Sequence, residues 1–98
     1  MEKLTITAHK VTNCYFELKI FLGEIYIGEY ERSKEQDVER KKQEILNAKD
    51  YLSKIFHTHK DQPFQVRWDG TKRTKVIKIN GKEVDTIPKK FWEKPSWE

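Results

Sequence analysis

Residues 15–22, YFELKIFL, alternate apolar and polar side chains almost without a break. Phe16, Leu18, Ile20 and Leu22 fall on one side; Tyr15, Glu17, Lys19 and Phe21 fall on the other. A period of two marks a strand with one buried face. Gly23 permits a turn, and EIYIGEY (24–30) returns with Ile25 and Ile27 sharing a face. LTITAH (4–9) reads as a third strand. The period then changes. Val38, Ile45, Ala48, Leu52, Ile55 and Phe56 recur mostly at spacings of three, four and seven, the stripe of an amphipathic helix. Ser33 and Gln36 have the spacing of a capping box, so the pattern predicts a helix from Ser33. Pro63 stops it near His57 to His59. Lys41 lies on the stripe, where its stem can cover the sheet while its ammonium reaches water.

A second β block follows in PFQVRWDG and KVIKINGKEV. Asn80-Gly81 between alternating residues predicts a two-residue type I′ hairpin. Its register sets Ile79 against Lys82, Lys78 against Glu83, Ile77 against Val84 and Val76 against Asp85. A tight turn at Asp69-Gly70 would set Val66 against Arg73. Pairing Val66 with Ile77 and Phe64 with Ile79 keeps the apolar face whole, and it requires a longer protruding loop over 69–74, DGTKRT. The sum is an α+β fold in β-β-β-α-β-β-β order: an antiparallel sheet with one long amphipathic helix packed on it. The 98 residues make one domain, with residues 88–98 an aromatic tail broken by prolines.

The segment IYIGEYERSKEQ joins a strand to a helix through glycine, an aromatic residue and polar residues. In that join, residues 15–52 resemble the three-strand-plus-helix domains of integrase arm-binding type. The resemblance implies DNA binding, although the tryptophan- and arginine-rich strands of such domains are missing from this chain.

Charge adds a direction. The net charge is +4, but residues 1–31 carry −2, residues 32–61 carry +2 and residues 62–98 carry +4. A positive field gathered in the last third suits a polyanion or an acidic protein as partner. The one cysteine, Cys14, sits in a strand-like region and reads as a buried thiol, which fits a reducing compartment. No apolar run approaches the roughly 20 residues that span a bilayer, so we expect a soluble cytoplasmic protein with no membrane role.

Candidate chemistry is sparse. Lys72 and Arg73 on the loop, Lys75 and Lys78 on the next strand, and Arg67 and Lys82 nearby form a basic surface able to contact phosphates. Strict alternation puts Tyr15, Lys19, Phe21, Tyr26 and Tyr30 together on the face away from the helix. There Tyr26 and Tyr30 become candidates for stacking on bases, unless the second β block or the tail covers them. His57 and His59 lack the spacing of a metal site. With Arg67, Lys72 and Arg73 they make at most a metal-free ribonuclease constellation. Glu17-Leu18-Lys19 is a nuclease-like fragment, but no Asp precedes it. Trp92 and Trp97 are candidate anchors for a protein partner. These residues predict a small non-enzymatic nucleic-acid-binding protein with no cofactor and no metal. The alternative is a phage or mobile-element module that inhibits a host protein, and the third reading is the ribonuclease.

Overall fold

The computed structural model describes residues 3–93. Six strands form one sheet in chain order: β1 (Leu4–Lys10), β2 (Tyr15–Leu22), β3 (Ile25–Lys34), β4 (Phe64–Asp69), β5 (Thr74–Ile79) and β6 (Lys82–Ile87). All neighbours are antiparallel except β3 and β4, which run parallel over Gly28–Phe64, Glu29–Gln65 and Tyr30–Val66. The expectation of a purely antiparallel sheet is therefore corrected. A helical crossover returns the chain to the starting end of the sheet, and a strand entered that way lies parallel to the one left. Two antiparallel meanders thus share one parallel seam.

The crossover is not one long helix. Ser33 stays in β3, 2% exposed, and its hydroxyl donates to the Glu31 carbonyl. The anticipated capping box is absent, and a 3₁₀ turn (Glu35–Asp37) opens the crossover with no side-chain cap. Two helices follow, α1 (Val38–Asn47) and α2 (Lys49–Thr58). They meet at Ala48, whose φ of −97° and ψ of 17° leave the helical region. The apolar stripe survives the break: Val38, Ile45, Ala48, Leu52, Ile55 and Phe56 are all buried. They pack with Leu18, Ile20, Ile27, Phe64, Val66, Ile77 and Ile87 into one core on one face of the sheet. A four-residue helix, α3 (Lys89–Trp92), closes the end of that core.

Gly28 serves the seam. A Cβ there would lie 2.5 Å from the Phe64 carbonyl oxygen and 2.6 Å from its ring. Only glycine lets the first strand of the second meander approach so closely. The Asn80-Gly81 turn has φ of 54° and 79°, as a type I′ turn requires. Ile79–Lys82 and Lys78–Glu83 pair as the turn dictates. The ladder then shifts, so Ile77 faces Asp85 and Val76 faces Thr86, with Val84 the extra residue. Val66 faces Ile77, as apolar matching demands, and residues 70–73 form an exposed loop.

Three local expectations need correction. Cys14 is exposed, in the link between β1 and β2. Ile25 is half-exposed. The second β block does not stack on the first, because β4–β6 extend the same sheet sideways. No helix of the described residues is long and apolar enough to cross a membrane.

Candidate ligand cleft at the end of the sheet

Strand alternation decides where the basic residues go. In β5, Lys75 has the parity of Ile77 and Ile79, which point into the core, so Lys75 points there too. The Val66–Ile77 register sets Lys75 directly opposite Trp68. Tyr30 reaches the same place from β3. An irregularity at Ile27 breaks the alternation between Tyr26 and Gly28, so Tyr26 stays on the open face while Tyr30 turns inward, 2% exposed. Trp92 arrives from α3 with its indole N–H donating to the Ile87 carbonyl. Asn47 donates to the Trp92 carbonyl and ties α1 to α3.

The Lys75 ammonium is therefore caged. It stands 4.3 Å from the centre of the Trp92 ring, 4.9 Å from Tyr30 and 5.8 Å from Trp68. It donates to the Tyr30 hydroxyl and pairs with Glu44 at 3.3 Å. Burial pushes the amine below its ordinary pKa, opposed by the Glu44 carboxylate. The same burial, with the Glu44 and Glu31 charges, pushes the Tyr30 phenol up. Glu44 Oε1 is shielded from solvent and, apart from that ion pair, makes no hydrogen bond among the described residues.

Above this cage opens a cleft of about 340 Å³, lined by Tyr30, Glu31, Arg40, Lys41, Glu44, Trp68, Lys75 and Trp92. Trp68 forms its mouth, 46% exposed and propped edge-on by Trp92 at 6.5 Å between centroids. Glu31 is fixed beside it, accepting from the Trp68 backbone N–H at 3.2 Å. Lys41 lies over the Tyr30 ring at 5.1 Å. Arg40 pairs with Asp37 at 3.3 Å but keeps most of its side chain in water.

The basic surface anticipated on the loop and β5 is not assembled. Lys75 is buried, and Lys72 pairs with Glu83. Backbone amides of Thr71 and Lys72 donate to Asp69, which places a carboxylate at the base of the loop and holds its pKa down. Arg73 is exposed with a left-handed φ of 55°. Arg67 lies beside Glu29, and Lys78 is cross-paired with Glu83, both on the open face. Lys82 is exposed at the far hairpin. Of the stacking pair, Tyr26 is open to solvent and Tyr30 is not. Trp92 is buried and so is no anchor for an outside partner; Trp97 lies outside the described residues. His57, in the last turn of α2, pairs at 3.0 Å with Asp61, which lies between that helix and the start of β4. Lys72 and Arg73 follow the other end of β4. A strand at about 3.3 Å per residue separates them, so the ribonuclease constellation does not come together.

Trp68, Glu31, Arg40 and Lys41 are the residues that sequence reasoning missed. The signal was available in part: once Val66 faces Ile77, Trp68 must share the core-side face two residues on. No family model, curated protein or solved structure matches the chain.

Proposed function

We propose that the chain is a small non-enzymatic nucleic-acid-binding protein that takes single strands at this cleft, in place of the loop and strand surface anticipated from the sequence. One observation carries the reading: a half-exposed indole, Trp68, stands at the mouth of a cleft flanked by Arg40 and Lys41. Tryptophans are usually well buried against their own core, and this one leaves nearly half of its surface to solvent. Stacking an unpaired base on such a ring contributes about 1–3 kcal/mol, and neighbouring cations supply the phosphate contacts. A duplex hides its bases from a concave site of this kind, so single strands are the favoured form. The positive net charge of the chain, +4, agrees with an anionic partner. A reducing, cytoplasmic setting is part of this reading, because Cys14 is an exposed free thiol.

The test is binding of short oligonucleotides by fluorescence anisotropy at several salt concentrations. Trp68→Ala lowers affinity about tenfold, the equivalent of one lost stack. Arg40→Gln with Lys41→Gln weakens binding and flattens the salt dependence. Lys72→Glu with Arg73→Glu does less than either. Wild-type affinity in Trp68→Ala, or no binding of single strands at low salt, retires the reading.

The alternative, a phage or mobile-element module that inhibits a host protein, has a separate observation in its favour. β1 ends the sheet, and its outer backbone groups pair with no strand among the described residues. An open edge accepts a strand from a partner. A partner captured by the wild type and released when Thr7→Pro blocks that edge would move the assignment there.

A further inference from the structure

Resting on the nucleic-acid reading, we infer that the cleft discriminates among bases, with Glu31 selecting those that carry an exocyclic amino group. The argument begins with how Glu31 is held. Its Oε1 accepts the Trp68 backbone N–H at 3.2 Å, so the carboxylate is fixed to the very residue that presents the stacking surface. Lys75, the most buried cation of the site, is committed to Glu44 and Tyr30 and leaves Glu31 unneutralised from below. No ion pair to Glu31 forms among the described residues. A carboxylate beside a phosphate-binding cleft opposes the binding of phosphates. The second Glu31 oxygen is not engaged by the Trp68 amide, and a ligand that brings a hydrogen-bond donor suits it.

A carboxylate only accepts hydrogen bonds. Cytosine, adenine and guanine each offer an amino group on the edge that projects from a stacked ring. Thymine and uracil offer two carbonyl oxygens flanking a single N–H, and those oxygens repel a carboxylate. Ring stacking on Trp68 is indifferent to base identity. The geometry therefore divides the labour: Trp68 holds any base, Arg40 and Lys41 hold the backbone, and Glu31 sorts by the edge.

The experiment titrates the full chain with single-stranded oligo-deoxycytidine, oligo-deoxyadenosine and oligo-deoxythymidine, each about eight nucleotides long. Wild type, Glu31→Gln and Glu31→Asp are compared, with thermal melts to establish that each variant is folded. The expected result is about a fivefold preference of the wild type for deoxycytidine over deoxythymidine. Glu31→Gln, whose amide both donates and accepts, loses that preference by gaining affinity for deoxythymidine. Glu31→Asp keeps the carboxylate and retains the direction of the preference at reduced size. Equal affinities in the wild type, or a preference that Glu31→Gln leaves intact, overturn the selection by Glu31 while leaving the stacking reading in place. Failure of every oligonucleotide to bind overturns both.

Discussion

The two faces of the sheet handle charge in opposite ways. On the helix side the core is apolar, and at its end one ion pair, Lys75–Glu44, is shielded from water with the ammonium set among three aromatic rings. On the open side, charges of both signs sit in alternation: Lys19 faces Glu29 across one ladder, Lys78 faces Glu83 across another, and Arg67 lies near Glu29. The open face therefore resists aggregation without building a strong field of either sign. The closed face holds the Lys75 ammonium where each interaction is strengthened by the exclusion of water. Two lysines three residues apart, Lys72 and Lys75, look alike in a string of cations and have opposite fates. The positive run in the last third of the chain is a property of composition and is dispersed by the fold.

That contrast can be broken most forcefully at Lys75. Lys75→Met leaves the Glu44 carboxylate buried without its cation, and about 3–5 kcal/mol of stability is lost by chemical denaturation. Adding Glu44→Leu removes the stranded charge and restores most of the loss. If Lys75→Met alone were harmless, the cage would be no more than a surface pair.

A smaller effect is expected on the open face at Glu29. Burial and the adjacent Glu17 carboxylate raise the Glu29 pKa in the folded protein. The folded state then holds a proton that the unfolded chain has released, so stability falls as pH rises from the unfolded value of about 4.3 through the raised one. Glu29→Gln abolishes this fall, making the variant the more stable partner at neutral pH and flattening the stability profile in mild acid. A melt series of both proteins across that range checks it; a stability difference, wild type minus variant, that does not fall with pH there contradicts the raised Glu29 pKa. Tyr26, pushed up to about 12 by burial and by Glu29 and Glu17, remains a neutral phenol throughout.

The smallest effect belongs to Lys72. Its hydrogen bond to Glu83 raises its pKa, but both side chains are solvated. Lys72→Ala shifts the melting temperature by no more than the scatter of the measurement, because exposed pairs contribute little. A clear loss of stability would make the loop part of the folded core.

Much of this architecture was legible in the residues. Alternation in YFELKIFL, the apolar stripe from Val38 to Phe56 and Asn80-Gly81 named the strands, the helical crossover and the final hairpin, in the right order. Apolar matching of Val66 with Ile77 gave the register and the exposed loop. Three features were not legible. The parallel seam depends on where the crossover delivers the chain, which is a property of packing in three dimensions. The break at Ala48 interrupts the backbone but not the stripe, so periodicity passes over it. The irregularity at Ile27 reverses the parity of Tyr30, and strict alternation has no means of foreseeing an extra residue. The cleft was half hidden for the last of these reasons: parity with Ile77 and Ile79 already turns Lys75 inward, but with Tyr30 assigned to the wrong face its partner there was not visible.

The three-residue seam between β3 and β4 carries a kinetic consequence. Every other strand pair is closed by a short connection, whereas this one must wait until the whole crossover is in place. Closing the longer loop costs more chain entropy before any contact repays it. Each meander can fluctuate toward its own pairing independently, and the molecule becomes cooperative only when Phe64 settles against Gly28. On loop-closure grounds that junction is expected to be the last pairing to form.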